Sequence, residues 1–343
     1  MLSKCTLGVA PDGQPFQLVT LSNAKGMSIQ VMDWGATWLS CKVPVQNQLR
    51  EVLLGCQLED YPKQQVYLGA TIGRYANRIA NGRFVLNGVP IQLQTNQGQH
   101  QLHGGENGFD CQRWQLEKCG ENFVCFSLSS PDGDQGFPGH VKVCVTYLLN
   151  EQNCVEIQFE AESDQDTPLN LTNHAYFNLN NAELGEDIRE HYLQVNADHY
   201  LPVNPEGIPC AALKSVQGTS FDFREMKSIE KDFLQDEQAL VKGYDHAFLL
   251  NQDKEKLSAV LTAADGSLRL QVSTSQPALQ IYTGNFLAGT PNRFSSYYQD
   301  YVGIALETQA LPDTPNHPEW WTLGGMSQAG EKYQHWTRFN FSS

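Results

Sequence analysis

Apolar and polar residues alternate along this chain from end to end, and a chain with a period of two buries its apolar side chains as strands with one inward face. Val141, Val143, Val145, Tyr147 and Leu149 form one apolar series. Val155, Ile157, Phe159 and Ala161 form another, interleaved with Glu156, Gln158, Glu160 and Glu162. Turn chemistry falls where hairpins need it: Asn87-Gly88 separates residues 84–86 from 89–93, and Asp265-Gly266 separates 259–261 from 268–272. One stretch departs from the pattern, residues 226–241, where Ile229, Phe233 and Leu240 recur at roughly helical spacing and predict a surface helix. No Pro/Ser-rich linker, low-complexity tract or internal repeat divides the chain. The expectation is an all-β fold, a large antiparallel β-sandwich with few short helices, forming a single domain over residues 1–343.

Charge narrows the partners. The 23 Lys+Arg against 38 Asp+Glu leave a formal charge of -15, a field that repels phosphate backbones and anionic lipid, so neither nucleic acid nor membrane is expected as a partner. Pro11-Asp12-Gly13 interrupts the start before a signal-peptide core can form, and no run reaches the ~18 apolar residues of a membrane span. A soluble, cytoplasmic protein is expected. Nine cysteines show neither a Cys-x-x-Cys pair nor zinc spacing and read as reduced thiols, with Cys144 and Cys154 as small buried hydrophobes in strands. There is no Gly-x-Gly-x-x-Gly, no Walker-type loop and no Gly-x-Ser-x-Gly, so nucleotide cofactors and serine-hydrolase chemistry lack support.

Three strand-like segments each present one polar face. Leu169 and Leu171 point one way, leaving Asn170, Thr172, His174 and Tyr176 on the other; Ile304 and Leu306 oppose Ala305, Glu307 and Gln309; Leu279 and Ile281 oppose Gln280 and Tyr282. Hydrogen-bonding groups mixed with aromatic platforms suit a sugar. Two glycine-bearing segments add Arg74, Asn77 and Arg78, and His103 before Gly104-Gly105, while Asp245 supplies an acceptor. Taken singly, each has an ordinary reading: a strand histidine is usually a structural donor, Arg74 and Arg78 would be ion-pair partners, and Asp245 would bond its own turn. His246 and His317 read as loop histidines.

Jointly the segments carry more. The ordered set GRYANRIANGRF, QLHGG, NHAYFNL, GYDHAF, LQIYTGNF and ALETQ closely resembles the galactose mutarotase family, and the later LPDTPNHPEW is similar to its bacterial members. The resemblance implies a large β-sandwich that holds a sugar on a concave sheet face, with His174 as general acid and Glu307 as general base. It implies sugar-binding roles for Asn77, Arg78, His103, Tyr176, Asp245 and Gln280, and a positioning role for Arg74. The implied activity is aldose 1-epimerase: interconversion of the α and β anomers of a free hexose, galactose or glucose among them, by ring opening and reclosure. No cofactor and no metal are implied. Both a monomer and a homodimer remain open, and residues 207–243 match no motif.

Such chemistry needs only proton transfers, for which an ionised Glu307 and a protonated His174 are the expected starting state. A glycosidase would instead need two carboxylates roughly 5–10 Å apart, for which Asp245 and Glu307 are the candidates, but a histidine in the acid position argues against it. A hexose-phosphate epimerase would need a basic cluster beyond Arg74 and Arg78. A noncatalytic sugar-binding module would need no acid and base pair.

Overall fold

The computed structural model describes residues 1–251 and 257–343. A nine-stranded sheet orders Gln115–Cys119, Phe123–Ser130, Val141–Leu149, Cys154–Ser163, Lys332–Ser342, Arg269–Thr274, Ala259–Thr262, Tyr192–Val195 and Lys227–Ser228. A six-stranded sheet orders Tyr176–Phe177, Ile304–Gln309, Ala278–Tyr282, Asp245–Leu249, His199–Tyr200 and Lys214–Ser215. Five N-terminal strands from Leu2–Leu7 to Gln48–Glu51 form a third. Neighbours in these three sheets run antiparallel.

Alternation explains the layering. Val143, Val145 and Tyr147 of the nine-stranded sheet and Ile281, Ile304 and Leu306 of the six-stranded sheet enter one hydrophobic cluster, together with Val19, Ile29 and Trp38 of the N-terminal strands. Trp38, Phe177 and Phe339, one from each sheet, meet with ring centroids 5.3 to 6.0 Å apart. Each large apolar side chain fully buried there contributes ~1.5–3 kcal/mol. The outer face of the nine-stranded sheet keeps its polar residues at the surface, where Arg338 pairs with Glu156 and Gln334 donates to Glu160. Cys144 belongs to that outer face and is half-buried, unlike buried Cys154, because it alternates with core residues Val143 and Val145. All nine cysteines are free thiols.

The Asn87-Gly88 hairpin joins Arg83–Leu86 to Val89–Gln92, with both turn residues at positive φ, the geometry that matches strand twist. The Asp265-Gly266 turn likewise joins Ala259–Thr262 to Arg269–Thr274. The helix expected over 226–241 does not form. Lys227–Ser228 is captured as an edge strand, only Asp236–Val241 coils into a 3-10 helix, and Asp232, Leu234 and Asp236 are left-handed. The Gln238 side chain replaces the helical ladder by accepting from Leu234 N and donating to Asp232 O. Among the described residues no helix is long and apolar enough to cross a membrane.

Candidate active site

The six-stranded sheet has two different faces. Its core face carries Leu306, Ile281 and His246 in register. Its other face carries two adjacent rows: Tyr176, Ala305, Tyr282 and Asp245, and beside them Glu307, Gln280 and Ala247. Of these rows, Tyr176, Tyr282, Asp245 and Glu307 wall a cavity of about 340 Å³. His246 is therefore no loop residue. It lies inside Asp245–Leu249, where alternation turns it into the core, 4.7 Å from the Phe221 ring. His317 follows a short 3-10 helix and stacks on Trp320.

The opposite wall comes from the two glycine-bearing segments. Arg78–Ile79 pairs with Gln101–Leu102. His103 N then donates to Asn77 O at 3.0 Å, and Asn77 N donates to Nδ1 of His103 at 3.1 Å. This close approach requires Gly104, where a Cβ would fall 2.0 Å from the Gly73 carbonyl oxygen and φ is +89°. Because Nδ1 of His103 accepts a backbone proton, its Nε2 carries the ring hydrogen and serves as a donor. Among the described residues His103, His174 and Glu307 are the three groups close enough to surround a cation, but that tautomer makes His103 a poor metal ligand.

At the centre, Nε2 of His174 lies 3.5 Å from Oε1 of Glu307. Nδ1 of His174, Oε2 of Glu307 and Oε1 of Gln280 are buried without a hydrogen-bond partner among the described residues. Burial pushes the Glu307 carboxyl well above its usual range, with Asp245 adding to the rise, and pushes the His174 imidazole down to about 4. Both shifts oppose the ionised starting state expected from the sequence. They favour a neutral pair holding the same number of protons.

Of the other expected residues, Asn77, Arg78, His103, Tyr176 and Asp245 line this cavity. Arg78 reaches Asp245 at 3.8 Å and donates to Gln97 at 2.7 Å. Gln280 is buried one row away and donates to Asp245 at 2.6 Å, so it positions that carboxylate rather than forming the wall. Arg74 is not at the cavity. Its guanidinium turns to the 130–138 loop, where it donates to Ser130 Oγ and to the carbonyls of Ser130, Pro131 and Pro138. Replacing Arg74 with Met should therefore cost stability, ~3 kcal/mol for several buried acceptors left unpaired, with a near-normal KM in the folded fraction. Denaturant melts read beside KM check this.

Tyr67, Gln97, Tyr282 and Phe286 also line the cavity. Alternation reveals the face of Tyr282, and Phe286 ends the LQIYTGNF segment, but nothing local marks Tyr67 or Gln97. An adjoining cavity of about 350 Å³ shares Arg78, Gln97, Asp245 and Phe286, and residues 98–100, 205–207 and 240–241 complete it. The stretch without motifs thus borders the site. Gly207, left-handed, lies against the Arg78 guanidinium, where a Cβ would approach to 2.7 Å.

The family model for aldose 1-epimerase matches residues 17–340. The aldose 1-epimerase of Haemophilus influenzae is 62% identical over 341 residues, covering 99% of this chain and 100% of that protein. The aldose 1-epimerase of Escherichia coli is 50% identical, covering 98% of each. Among solved structures, galactose 1-epimerase from Lactobacillus acidophilus superposes with a TM-score of 0.86 at 31% identity, covering 100% of this chain and 98% of that one. On the strength of these matches over almost its whole length, the chain belongs to the aldose 1-epimerase family.

Proposed function

We propose that the chain interconverts the α and β anomers of free aldohexoses such as galactose and glucose, with Glu307 as the base and His174 as the acid. The observation that carries this reading is the buried His174 and Glu307 pair, 3.5 Å apart, on the wall of a sugar-sized cavity. Glu307 takes the proton from the C1 hydroxyl while His174 protonates the ring oxygen, and the ring opens to the aldehyde. Rotation about C1–C2 presents the other carbonyl face, and the two groups reverse their roles to close the ring. Only protons move, so no nucleophile, redox partner or metal is required.

The two groups share one proton across the reaction. In the neutral pair it rests on Glu307, and transfer to His174 creates the reactive carboxylate and imidazolium. A C1 hydroxyl donating to Glu307 and a ring oxygen accepting from His174 both favour that charged arrangement, offsetting the burial that opposes it. The distal hydroxyls fall to Asn77, Arg78, His103 and Asp245. Asp245 is held by Gln280 and faces Arg78, which suits a fixed acceptor better than the second acid of a glycosidase. The free thiols fit a cytoplasmic location.

Polarimetric relaxation of fresh α-galactose, corrected for the spontaneous rate, tests the reading. Catalysis should be fast, and kcat/KM should stay flat through neutral pH. Activity needs one proton on the pair; a second proton adds to an imidazole held at about 4, so the acid limb should fall near there. The last proton is lost only from a raised carboxyl, which extends the plateau to the alkaline side. A limb centred on the ordinary imidazole value of ~6.5 would refute the shared proton. No acceleration over the spontaneous rate would refute the function.

A further inference from the structure

We infer that Tyr67 is a positioning residue of this reaction: its ring packs on both His103 and His174 and keeps the acid oriented and shielded from water. The inference rests on the reading of His174 as the acid.

The Tyr67 ring centroid lies 4.6 Å from that of His103 and 5.7 Å from that of His174. His103 and His174 themselves meet edge to face, with centroids 5.2 Å apart. Tyr176 completes the surroundings of His174 at 4.9 Å. Strand pairing holds Tyr176 and the backbone beside His103. Tyr67 lies outside any strand.

Its backbone has instead a left-handed conformation, φ +59°, where a bulky side chain is rarely found. The surrounding bonds enforce that turn. Gln64 Oε1 accepts from Val66 N and Leu68 N, and Ala70 N donates to Tyr67 O. The following residues are tied to the acid's own backbone: Gly69 N donates to His174 O, His174 N donates to Ala70 O, and Asn173 Nδ2 donates to Gly69 O. A glycine would take this turn without strain, so local folding gives no reason for an aromatic residue here. The ring lines the catalytic cavity, and its hydroxyl makes no hydrogen bond among the described residues. What the ring touches is the two imidazoles.

Burial is the leading cause of the depressed His174 imidazole, and the Tyr67 ring is part of what buries it. Glu307, His103 and Tyr176 face the imidazole from neighbouring elements, with Arg78 and Asp245 elsewhere on the wall. All five remain when Tyr67 is changed, so a shift in titration reports the ring's shielding.

Tyr67→Gly and Tyr67→Phe, measured for kcat, KM and the pH dependence of kcat/KM, provide the test. Tyr67→Gly keeps a backbone that accepts the turn; its kcat should fall ~10-fold or more because the acid is no longer held in line, with KM within about threefold. Its acid limb should move up toward the ordinary histidine range. Tyr67→Phe retains the ring and should restore kcat to within about threefold, with the limb of the unchanged protein. Near-normal turnover and an unshifted limb in Tyr67→Gly would overturn the inference, and so would Tyr67→Phe as impaired as Tyr67→Gly, since the hydroxyl would then be the active part. His174→Asn, assayed alongside, separates the two failures. A fully active His174→Asn protein removes the acid assignment itself, whereas an inactive one beside normal Tyr67→Gly removes only the role of Tyr67.

Discussion

Glu307→Gln should bind galactose within a few-fold of the unchanged protein and turn it over at least ~10²-fold more slowly, the lower end of what a positioned base contributes. The amide has nearly the same size and still offers an oxygen to the C1 hydroxyl, so ground-state binding persists while proton removal stops. The fold should survive the change, because burial already favours the neutral form of the Glu307 carboxyl and the amide is neutral too. A Glu that merely bonded a neighbour on the sheet would predict a small stability change and nearly full turnover. Anomerisation kinetics beside equilibrium binding decide between them, and folded protein that binds the sugar and works at close to the normal rate would end the base assignment.

His174→Asn should lower kcat by ~10²-fold or more, since an amide cannot protonate the ring oxygen. The backbone bonds of His174 to Gly69 and Ala70 do not involve the side chain, so circular dichroism and melting should show an intact fold. The substitution also frees Glu307 from its shared proton. The remaining slow activity should therefore follow a single carboxyl titration raised above the usual range, without the limb near about 4. Near-normal kcat would return His174 to a structural role.

Much of the site was legible because alternation is a local property. Glu307, Gln280 and Tyr282 could be assigned to the polar side of their own strands from the positions of Leu306, Leu279 and Ile281 alone. The hairpins at Asn87-Gly88 and Asp265-Gly266 were equally local. Function became readable only through the ordered family motifs, since each residue by itself had a plausible structural use.

Where one residue had to choose among distant partners, the sequence was a weaker guide. Arg74 lies within the most recognisable motif, yet its guanidinium found four acceptors in the 130–138 loop and turned from the cavity. Residues 226–241 had a helical period, but an available sheet edge at Tyr192–Val195 and the Gln238 side chain outcompeted the helix. His246 went into the core because its strand begins at Asp245, a boundary that composition does not mark.

The sequence by itself therefore determined an all-β chain, the inward side of each long strand and, through its motifs, the family. Only the tertiary structure decided that Ala305 lies between Tyr176 and Tyr282, that Glu307 lies beside Gln280, and that His103 and Tyr67 close on His174. The physical reason is one of range. A side chain's face follows from its immediate neighbours along the chain, whereas strand order and register come from hydrogen bonds and packing between segments that are distant along it. Burial, which sets the proton affinities of Glu307 and His174, exists only once those segments have met.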